Sequence, residues 1–197
     1  MAIQKVYIAS PLFNPKEREE NEEIDLALRD AGYRTFLPQR DGFLFVDVVS
    51  ALNDRGLTLQ DARGAARHLI FLLDVFQVCE ACDATVLNMN GRVPDEGGVV
   101  EGALTFMSGH PLVIYKSDDR SLIMGEDNPL VIGLSGFETV REIRMIPPKL
   151  KELDTAPVSY FSQTLAAARH LLKEDGQMNL NDLVEAARLL WEEKQIA

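Results

Sequence analysis

The chain has 197 residues, 46% of them hydrophobic, and its acidic residues outnumber the basic ones 31 to 20 for a formal charge of -11. That is the composition of one globular domain with an appended element, and it excludes a disordered, collagenous or coiled-coil chain. The charge repels phosphate backbones and anionic bilayers, so nucleic-acid polymers and membranes are poor partners, and the early polar residues of Met1-Ala-Ile-Gln-Lys-Val do not read as a signal peptide. The expected location is cytoplasmic.

In chain order, Gln4 to Ala9 reads as a first strand, followed by Ser-Pro-Leu-Phe-Asn and an acidic helix from about Pro15 to Ala31, which Gly32 ends. Tyr33 to Leu37 is a short second strand running into Pro38-Gln-Arg-Asp-Gly42. The stretch from Asp41 to Gln60 is polar and poorly periodic, and it reads as a long connection at a strand end. A helical pattern runs from about Asp61 through Cys82, with room for a break in its middle. Asp83 to Asn88 has the β-branched centre and sharp bounds of a buried strand, and a helix starts near Asp95 and ends at Ser108-Gly109.

Pro111 to Lys116 is the clearest strand, and Thr139 to Ile146 is a candidate fifth. Strands alternating with helices imply an α/β fold with an open parallel five-stranded sheet and helices on both faces. Past Val158 two amphipathic helical patterns follow, Phe161, Leu165, Ala168 and Leu172, then Leu183, Ala187, Leu190 and Trp191. The expected organisation is therefore an α/β domain over 1–157 and a C-terminal helical extension over 158–197, packed on the same domain or on a neighbouring subunit.

Cys79 and Cys82 form a C-x-x-C late in a helix and just before a strand, the reverse of the usual redox arrangement. His68, His110 and His170 are scattered and there is no second cysteine pair, so buried thiols are expected, with no metal and no other cofactor.

Ligands of open α/β sheets bind beyond the carboxyl ends of the strands. Four segments qualify: Ser10 to Asn14, Pro38 to Gly42, Asn88 to Glu101 and Lys116 to Asn128. The third is the most informative. It brings Asp95 and Glu101 to the mouth of a helix together with Gly97, Gly98 and Gly102, small residues that let a ligand approach the backbone. The helix N-terminus is expected to favour an ionised, nucleophilic Glu101, and Asp95, six residues earlier in the loop, is free to take an acid role. On spacing alone the same residues also read as a helix cap and a solvated carboxylate.

Val6-Tyr-Ile-Ala-Ser-Pro-Leu-Phe13, Pro94-Asp-Glu-Gly-Gly-Val-Val-Glu101-Gly and the Gly109-His-Pro strand entry together resemble the nucleoside 2-deoxyribosyltransferase family over about residues 4–145. The resemblance implies a flavodoxin-like (Rossmann-like) fold and exchange of the base on a 2'-deoxyribonucleoside through a covalent deoxyribosyl-enzyme. It implies 2'-deoxyribonucleosides and free nucleobases as small-molecule substrates, within nucleoside salvage. By motif, Glu101 resembles the nucleophile, Asp95 the aspartate that protonates and holds the base, and Tyr7 the tyrosine that orients the nucleophile. Asp74 resembles a further acidic substrate contact, Gln39 a glutamine near base and sugar, and Asn128, in Glu126-Asp-Asn-Pro, a residue that a neighbouring subunit offers to the sugar 5'-hydroxyl. The family match and the extra apolar-faced helices together lead us to expect a homo-oligomer built from dimers.

Plainer readings stand beside these: Tyr7 as core, Asp74 as a cap or helix pair, Gln39 as a loop residue, Asn128 as a turn former before Pro129. Two other functions fit the same fold. A deoxynucleoside 5'-monophosphate N-glycosidase passes the sugar to water, although that enzyme type tends to carry a hydroxyl residue where this chain has Asp95. A non-catalytic nucleotide-sensing domain is the other.

Overall fold

The computed structural model describes residues 2–91, 94–119, 127–155, 160–171 and 179–196. The chain divides into two compact units, Met1–Val158 and Ser159–Ala197. The first holds a five-stranded parallel sheet in the order β2-β1-β3-β4-β5, formed by Arg34–Phe36, Lys5–Ala9, Ala84–Asn88, Leu112–Tyr115 and Thr139–Val140. This is the doubly wound order of flavodoxin-like folds, and it reverses direction between β1 and β3. There Tyr7 pairs with Thr85 and Ala9 with Leu87, so the loops after both strands open at the same edge.

Alternation along β1 sorts its side chains between two cores. Val6 and Ile8 face one side with Val86 and Val113, against Ile24 and Leu28 of α1 (Pro15–Asp30) and Ile146 and Leu150 of α7 (Ile146–Asp154). Tyr7 and Ala9 face the other with Leu87, Leu112 and Ile114. At about 1.5–3 kcal/mol for each large aliphatic side chain taken from water, these two layers carry most of the stability.

The helices begin and end where their residues dictate. Asn14 and Glu17 form a capping box at the start of α1, and Gly32, at φ +93°, takes the left-handed turn that stops it. Thr58 caps α4 (Leu59–Phe76), which runs into a π-helical turn at Gln77–Ala81 holding Cys79, while Cys82 is buried just beyond it. Asp95 caps α5 (Glu96–Met107).

Three expectations need correction. The stretch from Asp41 to Gln60 is not an irregular connection: it holds α3 (Phe45–Asp54), preceded by the short α2 (Pro38–Asp41). Its apolar residues Phe45, Val48, Val49 and Leu52 recur at helical spacing and cluster with Ala62 and Ala66 of α4, so the sequence does carry a helical period within this stretch. The helical pattern expected from Asp61 starts two residues earlier, behind its Thr58 cap. The fifth strand is two residues long, and the apolar residues after it form a 3-10 turn and then α7, which Pro147 and Pro148 open.

The second unit holds α8 (Tyr160–Leu171) and α9 (Leu180–Ile196), where the two amphipathic patterns were expected. Leu172 and the proposed boundary at 157–158 lie outside the described residues.

Candidate active site

The alternation that sends Tyr7 to the α4–α5 side of the sheet places its phenol among carboxylates. The ring is fully buried and stacks on Phe36, with centroids 5.5 Å apart and planes 11° apart. Its hydroxyl donates to Glu101 Oε1 at 2.6 Å, and Asp74 Oδ1 lies at 3.5 Å. A phenol has one proton, so the short contact to Glu101 is the working hydrogen bond and the Asp74 contact is secondary.

Glu101 reaches this point because α5 lies close on β3. A Cβ on Gly98 would stand 3.1 Å from Leu87 Cδ1, and one on Gly102 would stand 3.3 Å from Leu87 Cδ2. Glycines at i and i+4 let the helix backbone settle on the strand, with Glu101 beside Gly102 facing Tyr7. This changes the reading of Gly98, which was expected to make room for a ligand. Its open face meets Leu87, and its N–H donates to Asp95 Oδ2 at 2.7 Å. Gly97 likewise leaves space for the Asp95 carboxylate, 3.1 Å from where its Cβ would be.

These groups open on one cavity of about 790 Å³ beyond the carboxyl ends of β1, β2 and β3. Tyr7, Asp74, Asp95 and Glu101 line it together, along with Gln39. Asp95 therefore both caps α5 and faces the cavity. Gln39 lines the cavity, but its amide is engaged: Nε2 donates to Arg18 O at 3.1 Å and to Glu22 at 3.4 Å, and Oε1 accepts from Asn21 Nδ2 at 3.1 Å. Asn128 does not line it. Its side chain caps α6 (Pro129–Ile132), accepting from Leu130 N at 2.9 Å, while its neighbour Asp127 pairs with the fully buried Lys116. Glu126, the first residue of that motif, lies outside the described residues.

Ser10, Leu12, Phe13 and Arg40 line the same cavity from within the two segments after β1 and β2 expected to meet a ligand, although none had been given a role of its own. Arg18 and the Phe43-Leu-Phe45 segment line it as well and lie outside the expected segments. Among the described residues, no group of three or more His, Cys, Asp and Glu side chains is disposed to hold a metal ion.

The electrostatics differ from the expectation that the helix N-terminus keeps Glu101 ionised. Burial pushes its carboxyl up to about 8; the Tyr7 hydrogen bond opposes this, and the charges of Asp74 and Asp95 add to it. Glu101 is the sixth residue of α5, beyond the first four N–H groups that have no partner in the helix, so the dipole gives it little. Burial also raises Asp74 and holds the Tyr7 phenol well above its ordinary value. Such a cluster, a buried carboxyl poised near neutrality with a fixed phenol donor, is suited to covalent and acid–base chemistry.

A model of the nucleoside 2-deoxyribosyltransferase family matches residues 6–135. Among solved structures, a conserved protein from Enterococcus faecalis V583 overlays with a TM-score of 0.59 at 21% identity, covering 77% of this chain and 99% of its own. A 2-deoxyribosyltransferase from Bacillus psychrosaccharolyticus overlays with a TM-score of 0.50 at 16% identity, covering 81% and 94%. At these identities the two overlays show a shared fold. A Clostridium botulinum CMP N-glycosidase overlays with a TM-score of 0.44 at 14% identity, covering 75% and 99%, a likeness too distant to bear on the argument. No curated protein matches the sequence.

Proposed function

The chain belongs to the nucleoside 2-deoxyribosyltransferase family, enzymes of nucleosides and nucleobases, and from that premise we propose that it transfers a 2-deoxyribosyl group between bases through a covalent bond to Glu101. The observation that carries this reading is the 2.6 Å hydrogen bond from Tyr7 to Glu101 in a cavity that Asp74 and Asp95 share.

In the first half-reaction the Glu101 carboxylate attacks C1' of the deoxyribose. The C1'–N bond breaks, its electron pair leaves with the base, and Asp95 delivers a proton to that base. In the second, a ring nitrogen of another base attacks C1', the bond to Glu101 breaks, and the proton lost by the incoming base returns to Asp95. Two displacements retain the configuration at C1' and replace one hard step with two easier ones, as in retaining glycosidases.

Tyr7 does two things here. It aims one Glu101 oxygen, leaving the other for C1', and its proton opposes the effect of burial on the carboxylate. Asp74, held by α4 on the same wall, contacts the sugar. Gln39, with its amide bonded to α1, positions the base-side wall rather than donating freely to substrate.

Asn128, which does not line this cavity, contacts the sugar 5'-hydroxyl in a neighbouring copy. Mixing exchangeable Glu101→Ala and Asn128→Ala subunits should then restore about a quarter of the wild-type activity for random pairing across a two-fold axis. A monomer, or mixtures as inactive as their parents, contradicts the shared site.

The transfer itself is tested by incubating the protein with thymidine or deoxyadenosine, with and without a second free base, and separating the products. A new nucleoside in the presence of the acceptor supports the reading. Free deoxyribose alone, at a rate the acceptor does not alter, overturns it in favour of an N-glycosidase.

A further inference from the structure

Two arginines, Arg18 and Arg40, line the cavity, and they are not equivalent. Arg40 is committed: it bonds the buried Asp25 at 2.8 Å and Asp41 at 2.6 Å. The half-buried Arg18 is not. Among the described residues its guanidinium makes one hydrogen bond, from a terminal nitrogen to the carbonyl of Leu12 at 3.0 Å, and no ion pair. Leu12 itself lines the cavity, so this bond pins the guanidinium at its wall.

In a chain of charge -11, a half-buried arginine without a carboxylate partner stands out. Beside it, the Gln39 amide is engaged by Asn21, Glu22 and the Arg18 carbonyl. Among the described side chains of this wall, Arg18 and the Ser10 hydroxyl keep donors available, and of the two Arg18 offers a planar fork of donors.

We propose that Arg18 is a specificity-determining residue for the base, selecting nucleobases that present an exocyclic carbonyl over those that present an exocyclic amine. The inference rests on the reading that this cavity holds a nucleoside. A 6-oxopurine offers adjacent acceptors at O6 and N7, which match the guanidinium fork, whereas a 6-aminopurine turns an N–H group against it. A phosphate is disfavoured as the ligand. Asp74, Asp95 and Glu101 line the same cavity and Glu22 bonds the neighbouring Gln39, so a dianion would meet carboxylates that an uncharged carbonyl tolerates.

The test compares kcat/KM for deoxyinosine and deoxyadenosine as donors to one acceptor base, in wild type and in Arg18→Met, which keeps the aliphatic stem. Equilibrium dialysis of free hypoxanthine and adenine runs alongside. Wild type should favour deoxyinosine on the order of 10- to 100-fold, with the preference falling to within about 3-fold in Arg18→Met because the loss falls on deoxyinosine. Equal wild-type values, or an equal loss on both donors, overturns the assignment. So does a preference for deoxyinosine 5'-monophosphate that disappears in Arg18→Met, since that marks a phosphate contact. If wild type turns over no nucleoside, the transfer reading fails and dialysis decides this one. Tighter hypoxanthine binding lost in Arg18→Met sustains it, and equal binding of the two bases by wild type overturns it.

Discussion

Two walls of one cavity are built in different ways. The wall of β1, α4 and α5 is an extension of the core: Tyr7 is 0% exposed, stacked on Phe36 and bonded to Glu101, and α5 is seated on Leu87 through Gly98 and Gly102. The opposite wall is made of the loop after β1 and the short helices after β2, where Phe13 is 77% and Leu44 67% exposed. Reacting groups must be held to fractions of an ångström and sit on the part of the molecule least able to move. Recognition tolerates adjustment and sits on connecting segments.

If that division is right, substitutions on the two walls differ in kind. The largest effect is expected for Glu101→Ala, which should lower kcat on the order of 10⁴-fold with an unchanged circular dichroism spectrum, as removal of a nucleophile does. Residual transfer within 10-fold of wild type would break the comparison.

Tyr7→Phe comes next. It removes the hydrogen bond that favours the Glu101 anion, so kcat/KM should fall about 10- to 100-fold. In wild type kcat/KM should rise with pH through about 8, as the carboxyl loses its proton in the free enzyme, and in Tyr7→Phe that inflection should move higher. A pH profile that does not move would show that Tyr7 is core and nothing more.

The same buried carboxyl has a stability signature. Its folded-state value of about 8 lies above the ordinary 4.5, so between those values the native protein keeps a proton that the unfolded chain releases. Stability therefore falls as pH rises through this window. Glu101→Gln should raise Tm by about 5–10 °C at pH 9 and change it little at pH 4. Equal shifts at both pH values would mean that the gain does not come from the buried charge.

The smallest effect is expected on the recognition wall. Gln39→Ala unties α2 from α1 and should raise KM about 3- to 10-fold with kcat nearly constant. A fall in kcat comparable to that of Tyr7→Phe would place Gln39 in the chemistry.

The difference between the walls also decided what could be read in advance. The apolar run Val6-Tyr-Ile-Ala9, the stop at Gly32 and the glycine-rich start of α5 are local signals, and from them the sheet, its helices and the location of Asp95 and Glu101 near the start of α5 were legible, while Tyr7 was singled out by the family resemblance. Two features were not legible, because each depends on the assembled tertiary structure: Arg18 meets the cavity through the carbonyl of Leu12, and the proton affinity of Glu101 is set by burial. α3 differs, since the spacing of Phe45, Val48, Val49 and Leu52 is itself a local helical signal inside a stretch that reads as polar. Gly98 shows the same limit from the other side: its smallness was evident, but that it serves Leu87 could be seen only once α5 lay on β3.

The central claim is that Glu101 carries the sugar. Incubating the protein with a 2-deoxy-2-fluoro nucleoside, which slows the second displacement, and mapping the adduct by peptide mass spectrometry tests it directly. One added fluorodeoxyribosyl group per chain is expected, on the peptide containing Glu101 and on that side chain, with release when an acceptor base is supplied. An adduct on Asp74, Asp95 or any other residue, or none while the analogue's base is set free, would contradict it.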